Sequence, residues 1–206
     1  MSLILFDMPD QPDSLPFQSA DDKPRFRAID RDWFGAELTC QPSFRIVIGP
    51  ESLSLLAIVR KSPISTPGAS AGSFYEGLWE NDVAELFLLN PDNGHYLELH
   101  AAPNGAWWSC LFEEPRVRAE VCNDPLPGGF GEGLEGVNHW EAKVTVPLAG
   151  LPAALAFDPA RTLGNVCFCL GSEPHQVYAT HAFLGTGRPN FHQPQFWLPL
   201  KRDTAG

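Results

Sequence analysis

The feature that most constrains this chain is the segment from residue 78 to residue 110, which predicts three consecutive short strands. Residues 82–89 are almost entirely apolar, residues 96–101 alternate between apolar and polar side chains, and residues 106–112 follow a Pro-Asn-Gly turn. Short runs of this kind, separated by Gly, Pro, Asn and Asp, are typical of a β-meander. The chain is therefore predicted to be organised around antiparallel strands.

Glu85 stands out in this meander because it is a carboxylate inside a strand that is predicted to be buried. A buried carboxylate must be paired or hydrogen-bonded, or it loses its charge. Two interpretations stay open, an internal ion pair with Arg60 or Lys143, and a contact with a ligand. Glu98 lies on the polar face of the next predicted strand, so the two carboxylates are expected to be neighbours.

Further strands are predicted on both sides of the meander. They cover residues 33–40, 44–48, 53–60, 116–122, 139–146, 163–170, 177–183 and 196–200. Residues 1–30 are predicted to form a peripheral arm, and residues 62–77 and 123–138 are predicted to be long loops. With no internal repeat and no second composition zone, residues 1–206 are predicted to form a single domain. The expected fold is all-β, a single antiparallel β-sandwich, jelly-roll-like, of about ten strands.

The charge balance argues against two classes of partner. Lys and Arg number 14 against 25 Asp and Glu, which gives a formal net charge of −11. A chain this acidic is a poor ligand for a phosphate backbone, and no apolar run approaches the length of a membrane-spanning helix. Nucleic acid and membrane are therefore not expected as partners.

The cysteines and the N-terminal residues predict a cytoplasmic location. The cysteines are Cys40, Cys110, Cys122, Cys167 and Cys169. Their spacing fits no zinc ribbon and no CxxC pair, so free thiols in a reducing compartment are expected. The N-terminus lacks the basic region of a signal peptide, although a signal removed from the sequence stays an alternative.

The meander also carries a resemblance to a known family. The pattern Trp79-Glu-x-Asp82-x-x-Glu85-Leu-Phe87, followed by Tyr96-x-Glu98-x-x-x-Pro103-x-Gly105, resembles the family 9 carbohydrate-binding modules and their DOMON-like relatives. Residues 140–151 resemble that family's strand ending in a proline turn, and residues 190–196 resemble its closing FHxP segment. The resemblance spans most of the chain, from residue 53 to residue 200, and implies a module that binds saccharides without catalysis.

The resemblance also implies which residues form the site. In the family, an aromatic pair clamps a terminal sugar and a carboxylate holds its hydroxyl groups; the matching residues here are Trp79, Phe191 and Glu85. Phe191 is a departure, because the family usually has a second tryptophan there. Where the family has further amides and an arginine, this chain has Glu98, Gly171 and Arg188. The predicted ligand-binding residues are Trp79, Glu85, Glu98, Arg188 and Phe191, and the predicted partner is a carbohydrate or a similar small molecule.

Whether the chain is an enzyme is left undecided by its residues. Glycoside hydrolysis needs two facing carboxyl groups, which Glu85 and Glu98 could supply. However, no GxSxG, HExxH or catalytic cysteine motif is present, so no catalytic residue is assigned. A hydrolase with this carboxylate pair, a DOMON-type haem module, and a partner-binding or purely structural module are the alternatives to saccharide binding.

Metal and cofactor binding are also open. No cofactor is firmly implied. The turn Asp92-Asn93-Gly94 is oxygen-rich and could hold a structural calcium ion, but it is equally a good metal-free β-turn. The late histidines His175, His181 and His192 could converge on a metal, and a bis-His haem site stays an alternative because both methionines are near the N-terminus.

Overall fold

The computed structural model describes residues 2–7, 26–120, 124–185 and 187–202. These residues contain thirteen strands: β1 (Leu3–Asp7), β2 (Arg27–Ala28), β3 (Ser43–Ile48), β4 (Ser52–Val59), β5 (Val83–Leu89), β6 (Tyr96–Ala101), β7 (Trp107–Glu114), β8 (Val117–Arg118), β9 (Phe130–Glu135), β10 (Trp140–Pro147), β11 (Leu163–Leu170), β12 (Val177–Thr180) and β13 (Leu198–Arg202). The short 3₁₀ helices are Leu78–Glu80, Leu148–Gly150, Ala153–Leu155 and Pro194–Phe196. The all-β prediction is confirmed, and no helix within the described residues is long and apolar enough to cross a membrane.

All strands belong to one mixed sheet. Its order is β8-β7-β6-β5-β11-β13-β1-β3-β4-β10-β9, with β12 beside β11 and β2 beside β3. Most neighbours are antiparallel, but β1 pairs in parallel with both β13 and β3. The expected purely antiparallel arrangement is therefore corrected to a mixed one. The sheet curls on itself, so that β6 packs against β10 and β4.

The first strand corrects the predicted peripheral arm. β1 lies between β13 and β3, and it joins the two halves of the sheet. Leu3 and Leu5 have no exposed surface and belong to the main apolar core. Residues 8–25, which make up most of the predicted arm, lie outside the described residues.

The sheet half that contains β5 is covered on both faces. Leu86 and its alternate neighbours on β5 face the main core inside the curled sheet. Because successive side chains of a strand point to opposite faces, Glu85 and Phe87 lie on the outer face. Loops cover that outer face and form a second apolar cluster, which includes Trp108 and Phe191. The candidate site lies on this outer face.

The predicted strand at residues 33–40 is a turn in the structure. The Oδ1 atom of Asp32 accepts hydrogen bonds from the backbone N–H groups of Phe34 and Ala36, at 2.9 and 2.8 Å. An Asp that bonds its own following backbone favours a turn over a strand. Phe34 is thereby presented at an exposed tip.

The predicted loop at residues 123–138 contains strand β9, which pairs with β10. Its glycines allow the backbone of residues 103–105 to lie close to β9. A Cβ atom at Gly133 would lie 2.1 Å from the carbonyl oxygen of Pro103, and one at Gly131 would lie 2.2 Å from that of Gly105. The turn after β6 therefore passes directly against β9.

The prediction of five free thiols is wrong. Cys110 is disulfide-bonded, whereas Cys40, Cys167 and Cys169 are free. Cysteine spacing alone does not show which distant segments meet, so such a pairing is not visible in the sequence. With this correction, free thiols no longer support a reducing compartment, and the cytoplasmic location stays a prediction.

Candidate functional site

A cavity of about 1040 Å³ opens on the outer face of β5, β6 and β11. Its buried floor contains Glu85 from β5, Glu98 from β6 and Cys169 from β11. β8 and the loops around residues 34, 174 and 190 supply its walls. The sequence-predicted site residues, Trp79, Glu85, Glu98, Arg188 and Phe191, all line this one cavity.

Glu85, Glu98 and His100 form a buried group that we call the floor cluster. Glu85 and His100 are paired across β5 and β6, and Glu98 lies on the same face as His100 because it is two residues away on the strand. The Oε1 atom of Glu98 is 2.6 Å from Nε2 of His100, and Oε1 of Glu85 is 3.8 Å from the same nitrogen. Register alone thus brings two carboxyl groups and an imidazole together.

Burial controls the charge of the floor cluster. Desolvation raises the pKa of Glu98 to about 8, against the opposing effect of Arg118 and Arg116. Desolvation also raises the pKa of Glu85 to about 7, with His100 opposing the change and Glu98 adding to it. The pKa of His100 is lowered, again mainly by burial. Without a compensating cation, the cluster therefore favours protonated carboxyl groups and a neutral imidazole.

Two polar atoms of the floor cluster, Glu98 Oε2 and His100 Nδ1, have no hydrogen-bond partner among the described residues. The Oε2 atom of Glu98 is 3.8 Å from Nε2 of His192, which is beyond hydrogen-bonding distance. Buried polar atoms are nearly always paired in native proteins. Since Glu98 lines the cavity, its second oxygen is available to a bound molecule or ion.

Trp79 forms part of one wall of the cavity. It lies in the 3₁₀ helix Leu78–Glu80, and its ring meets Trp108 edge-on at 5.4 Å and His100 edge-on at 5.8 Å. Its backbone carbonyl accepts a hydrogen bond of 2.8 Å from Nε2 of Gln176. The guanidinium of Arg118 lies 5.3 Å from the Trp108 ring, within cation–π range. Trp79 is thus packed against Trp108 and His100 and remains half-buried.

Asp82 anchors the segment that precedes Trp79. Its carboxylate pairs with Lys61 and accepts hydrogen bonds from the backbone N–H groups of Ile64 at 2.7 Å and Gly171 at 2.5 Å. These contacts tie one end of the loop at residues 62–77 to the sheet. The aspartate of the family-like motif therefore has a structural role here.

Phe191 and Phe34 contribute unequally to the cavity surface. Phe191 is only 8% exposed and packs against Trp33, Phe87 and Tyr178, with ring centroids 6.0, 6.5 and 6.0 Å away. Phe34 lines the same cavity and is 69% exposed. Phe34 was missed by sequence reasoning, although the Asp-x-Phe-Gly turn around it was a usable signal.

His192 is held in one orientation beside the floor cluster. The hydroxyl of Tyr96 accepts a hydrogen bond from the backbone N–H of Arg116 at 3.1 Å, and it lies 2.7 Å from Nδ1 of His192. The hydroxyl and Nδ1 thus form a hydrogen bond that leaves Nε2 of His192 on the side of Glu98. Burial lowers the pKa of His192 to about 4, so the ring is neutral at neutral pH.

Three arginines line the cavity above its acidic floor: Arg116, Arg118 and Arg188. Arg116 donates to Oδ1 of Asn190 at 3.0 Å, and Arg118 pairs with Glu76 at 2.5 Å. Only Arg188 among them was predicted from the sequence. The other two follow strand β7, and nothing in their local pattern shows that this turn reaches the meander's polar face.

The internal ion pairs expected for Glu85 are not formed. Lys143 pairs with Glu132 at 3.1 Å, and Arg60 donates to the side chain of Gln41 at 3.0 Å. Glu85 instead lies 3.5 Å from the thiol of Cys169, with His100 on its other side.

The turn and the histidines that the sequence suggested as metal ligands lie outside the floor cluster. In the turn proposed for calcium, Asp92 pairs with Arg161, while the Asn93 side chain accepts from His95 N–H and donates to the carbonyl of Ala154. Among the described residues, the grouping with metal-ligand spacing is Glu85, Glu98 and His100. His175, His181 and His192 are not part of it, and calcium binding stays a prediction.

Comparison with known sequences finds distant relatives. No known family profile matches the chain. It is 28% identical over 149 residues to the UPF0462 protein C4orf33 homolog of Mus musculus, covering 69% of this chain and 70% of that protein. It is 24% identical over 185 residues to the UPF0462 protein C4orf33 of Homo sapiens, covering 85% and 87% of the two chains.

Comparison with solved structures identifies the fold. A Bacteroides uniformis protein, provisionally named a carbohydrate-binding protein, superposes with a TM-score of 0.72 at 18% identity, covering 98% of this chain and 99% of that chain. A family 9 carbohydrate binding module from Caldicellulosiruptor kristjanssonii, solved with glucose, superposes with a TM-score of 0.53 at 12% identity over 99% and 98% of the two chains. A family 9 module from the same organism, solved with cellotriose, superposes with a TM-score of 0.52 at 11% identity, covering 97% of this chain and 92% of that chain. The chain therefore has a carbohydrate-binding-module-like fold.

Proposed function

We propose that this chain binds a saccharide, or a similar polyhydroxylated small molecule, in the outer-face cavity without converting it. The observation that carries this function is a half-open aromatic ring, Trp79, in the same cavity as the buried carboxyl groups of Glu85 and Glu98. The C–H face of a pyranose can stack on such a ring, while fixed polar groups take its hydroxyl groups.

The polar groups are arranged for a ligand that both donates and accepts hydrogen bonds. Glu98 Oε2 has no hydrogen-bond partner among the described residues and can accept from a hydroxyl group. Arg188 lines the same cavity and can donate to one. A hydroxyl group is both donor and acceptor, so neighbouring hydroxyls of one sugar can use both kinds of partner.

The comparisons support the same ligand class. The similar structures include a protein provisionally named for carbohydrate binding and family 9 modules solved with glucose and with cellotriose. The volume of the cavity, about 1040 Å³, is at the upper end of the usual range for ligand sites. Room for more than one sugar ring follows from that volume.

Phe34 is the proposed second stacking residue. The resemblance implies Phe191 in that role. However, the Phe191 ring is buried by its packing against Trp33, Phe87 and Tyr178. Phe34 has 69% of its surface exposed and lines the same cavity. An exposed ring can stack on a ligand without first breaking contacts inside the protein.

Calorimetric titration with glucose, xylose, galactose, cellobiose and cellotriose tests the proposal. At least one sugar is expected to bind the unmodified chain. Trp79→Ala and Phe34→Ala should each weaken that binding by about tenfold or more, because buried aromatic contacts often contribute ~2 kcal/mol or more. Phe183→Ala is the matched control, since Phe183 is 75% exposed and is not among the residues lining the cavity.

The proposal fails if no sugar in the panel binds, or if the Trp79 and Phe34 variants bind as the Phe183 variant does. Circular dichroism of each variant separates lost binding from lost folding. Retained binding in Phe34→Ala together with lost binding in Trp79→Ala would remove Phe34 from the site and leave the Trp79 platform in place.

Glycoside hydrolysis is the second candidate, favoured by the closeness of the two carboxyl groups. The nearest ligand atoms of Glu85 and Glu98 lie within 4.8 Å of each other, close to the ~5–5.5 Å separation of carboxyl groups in retaining glycosidases. The 2.6 Å contact with His100 occupies one oxygen of Glu98 and favours binding instead. Nitrophenol release from aryl glycosides, lost in Glu98→Gln, would replace the binding proposal with hydrolysis.

A further inference from the structure

We infer that the floor cluster, Glu85, Glu98 and His100, is a binding site for one divalent transition-metal cation of the Mn²⁺ or Zn²⁺ kind. One potential ligand atom from each side chain lies within 4.8 Å of the other two. Three atoms at such separations can surround one cation, because carboxylate and imidazole ligands bind these metals at about 2.0–2.2 Å. The 2.6 Å hydrogen bond between Glu98 Oε1 and His100 Nε2 would open as both atoms bind, with the cation taking the place of the proton between them.

A bound cation would balance the charge that the buried cluster carries when its carboxyl groups are deprotonated. When all three groups act as ligands, two carboxylates and a neutral imidazole carry two negative charges, which one divalent cation balances. The side chains of Glu85, Glu98 and His100 are only 4%, 6% and 0% exposed. Charges this deeply buried are normally paired or coordinated to a metal.

The unpartnered atoms point to the same conclusion independently. Glu98 is more than nine-tenths buried and lines the cavity, yet its Oε2 atom has no hydrogen-bond partner among the described residues. A bound cation beside Glu98 would give this carboxylate the interaction that it lacks. The ligands also lie on β5 and β6, two paired strands, which hold them more rigidly than loops would.

The donor set selects the kind of metal. Calcium and magnesium prefer sites made of oxygen atoms alone, whereas here the imidazole suits Fe²⁺ or Zn²⁺ and the two carboxylates also suit Mn²⁺. The thiol of Cys169 is 3.5 Å from Glu85 and is not needed for the site. Because Glu85 and Glu98 line the cavity, remaining coordination positions would be open to water or to a bound molecule.

This site does not require that the cavity bind a sugar. It concerns only the floor cluster, and its test uses the metal alone. If a sugar does bind, repeating the sugar titration in a chelator and in Mn²⁺ shows whether the two ligands share the cavity.

The test is a titration of chelator-treated protein with Mn²⁺. The electron paramagnetic resonance signal of free Mn²⁺ reports how much of the metal is bound at each step. Mn²⁺ is the probe because it prefers oxygen ligands, so the free thiols compete little. One Mn²⁺ per chain is expected, displaced by Zn²⁺. Glu85→Gln and Glu98→Gln, which preserve side-chain shape, should each weaken binding at least about tenfold, since even second-shell changes cost that much.

Glu173→Gln is the matched control, because Glu173 lines the same cavity outside the floor cluster. It should bind Mn²⁺ as the unmodified chain does. Absence of stoichiometric binding in the unmodified chain, or equal affinities in Glu98→Gln and Glu173→Gln, would overturn the metal site.

A second measurement keeps the site testable if the buried variants do not fold. The rings of Trp79 and Trp108 lie 5.8 and 5.0 Å from His100. A paramagnetic Co²⁺ ion in the floor cluster should therefore quench their fluorescence in the unmodified chain, in a saturable way that Zn²⁺ reverses. No quenching at Co²⁺ concentrations that saturate binding would place the cation elsewhere and reject this site.

Discussion

At the scale of residues, Glu98 and His192 bring two polar atoms close together at the floor of the cavity. The Tyr96 hydroxyl is hydrogen-bonded to Nδ1 of His192, and Nε2 of His192 lies 3.8 Å from Glu98 Oε2. That distance is too long for a direct hydrogen bond and leaves room for a small ligand group to approach both atoms. The cavity floor thus presents two polar side-chain atoms side by side.

Phe191→Ala is expected to lower the free energy of unfolding by about 3–5 kcal/mol, because removing a buried aromatic ring leaves a cavity. Trp79→Ala should lower the free energy of unfolding by less, since Trp79 is half-buried. Phe183→Ala, an exposed site, should change the value by no more than about 0.5 kcal/mol. Urea unfolding of the three variants measures the differences. Unchanged stability in Phe191→Ala would mean that this ring is a free clamp face.

Residue patterns predicted part of this site. Glu85 was visible as a carboxylate in an apolar strand, and the alternation of residues 96–101 put Glu98 and His100 on one face. The contributions of Phe34 and Arg116 were not visible, because they depend on which loops meet above the sheet. Such contacts between distant segments have no local sequence pattern.

At the scale of elements, two strands were predicted with their observed bounds, whereas the alternating segment 116–122 forms only the short strand β8 (Val117–Arg118) within the described residues, and one glycine-rich strand was missed. The predictions for residues 96–101 and 163–170 match β6 and β11. Strand β9 was predicted as a loop because glycine usually weakens a strand. Its glycines are explained by the turn that packs on them, which is a tertiary cause. Strand β1 is short and apolar, so its pairing partners could not be predicted from periodicity.

Gly133→Ala is expected to destabilise the chain by about 1–3 kcal/mol, as overpacking does. The new Cβ would lie 2.1 Å from the carbonyl oxygen of Pro103, so the turn or β9 must shift. Gly187→Ala is the control, since a Cβ there meets no atom within 4 Å. Thermal unfolding compares the two variants. Equal stability of both would show that the turn after β6 moves away from β9 without cost.

At the scale of the whole molecule, the apolar core and the candidate site lie on opposite faces of the sheet. The inner face of the curled sheet holds the main apolar core, and the outer face of β5, β6 and β11 holds the cavity. Side chains on the two faces alternate along the same strands. Substitutions of cavity residues can therefore alter binding while the main core stays intact.

Leu5→Ala tests whether β1 is part of the core of the whole molecule. Leu5 has no exposed surface, so its truncation should lower the free energy of unfolding by about 2–5 kcal/mol. Ile4→Ala, on the neighbouring half-buried residue, should cost clearly less. Chemical denaturation measures both, and a negligible effect of Leu5→Ala would return residues 3–7 to a peripheral role.

The parallel pairing of β1 with β13 has a consequence for the order of synthesis. Leu3 pairs with Leu200, so among the described strands the first along the chain has to wait for the last. On the ribosome, the two sheet halves can each form hairpins early, but the seam between them can close only after β13 has emerged. Contacts so distant in sequence also slow folding, because closing a long loop costs entropy first. Until then, β1 can pair with β3 alone, and its edge toward β13 stays open.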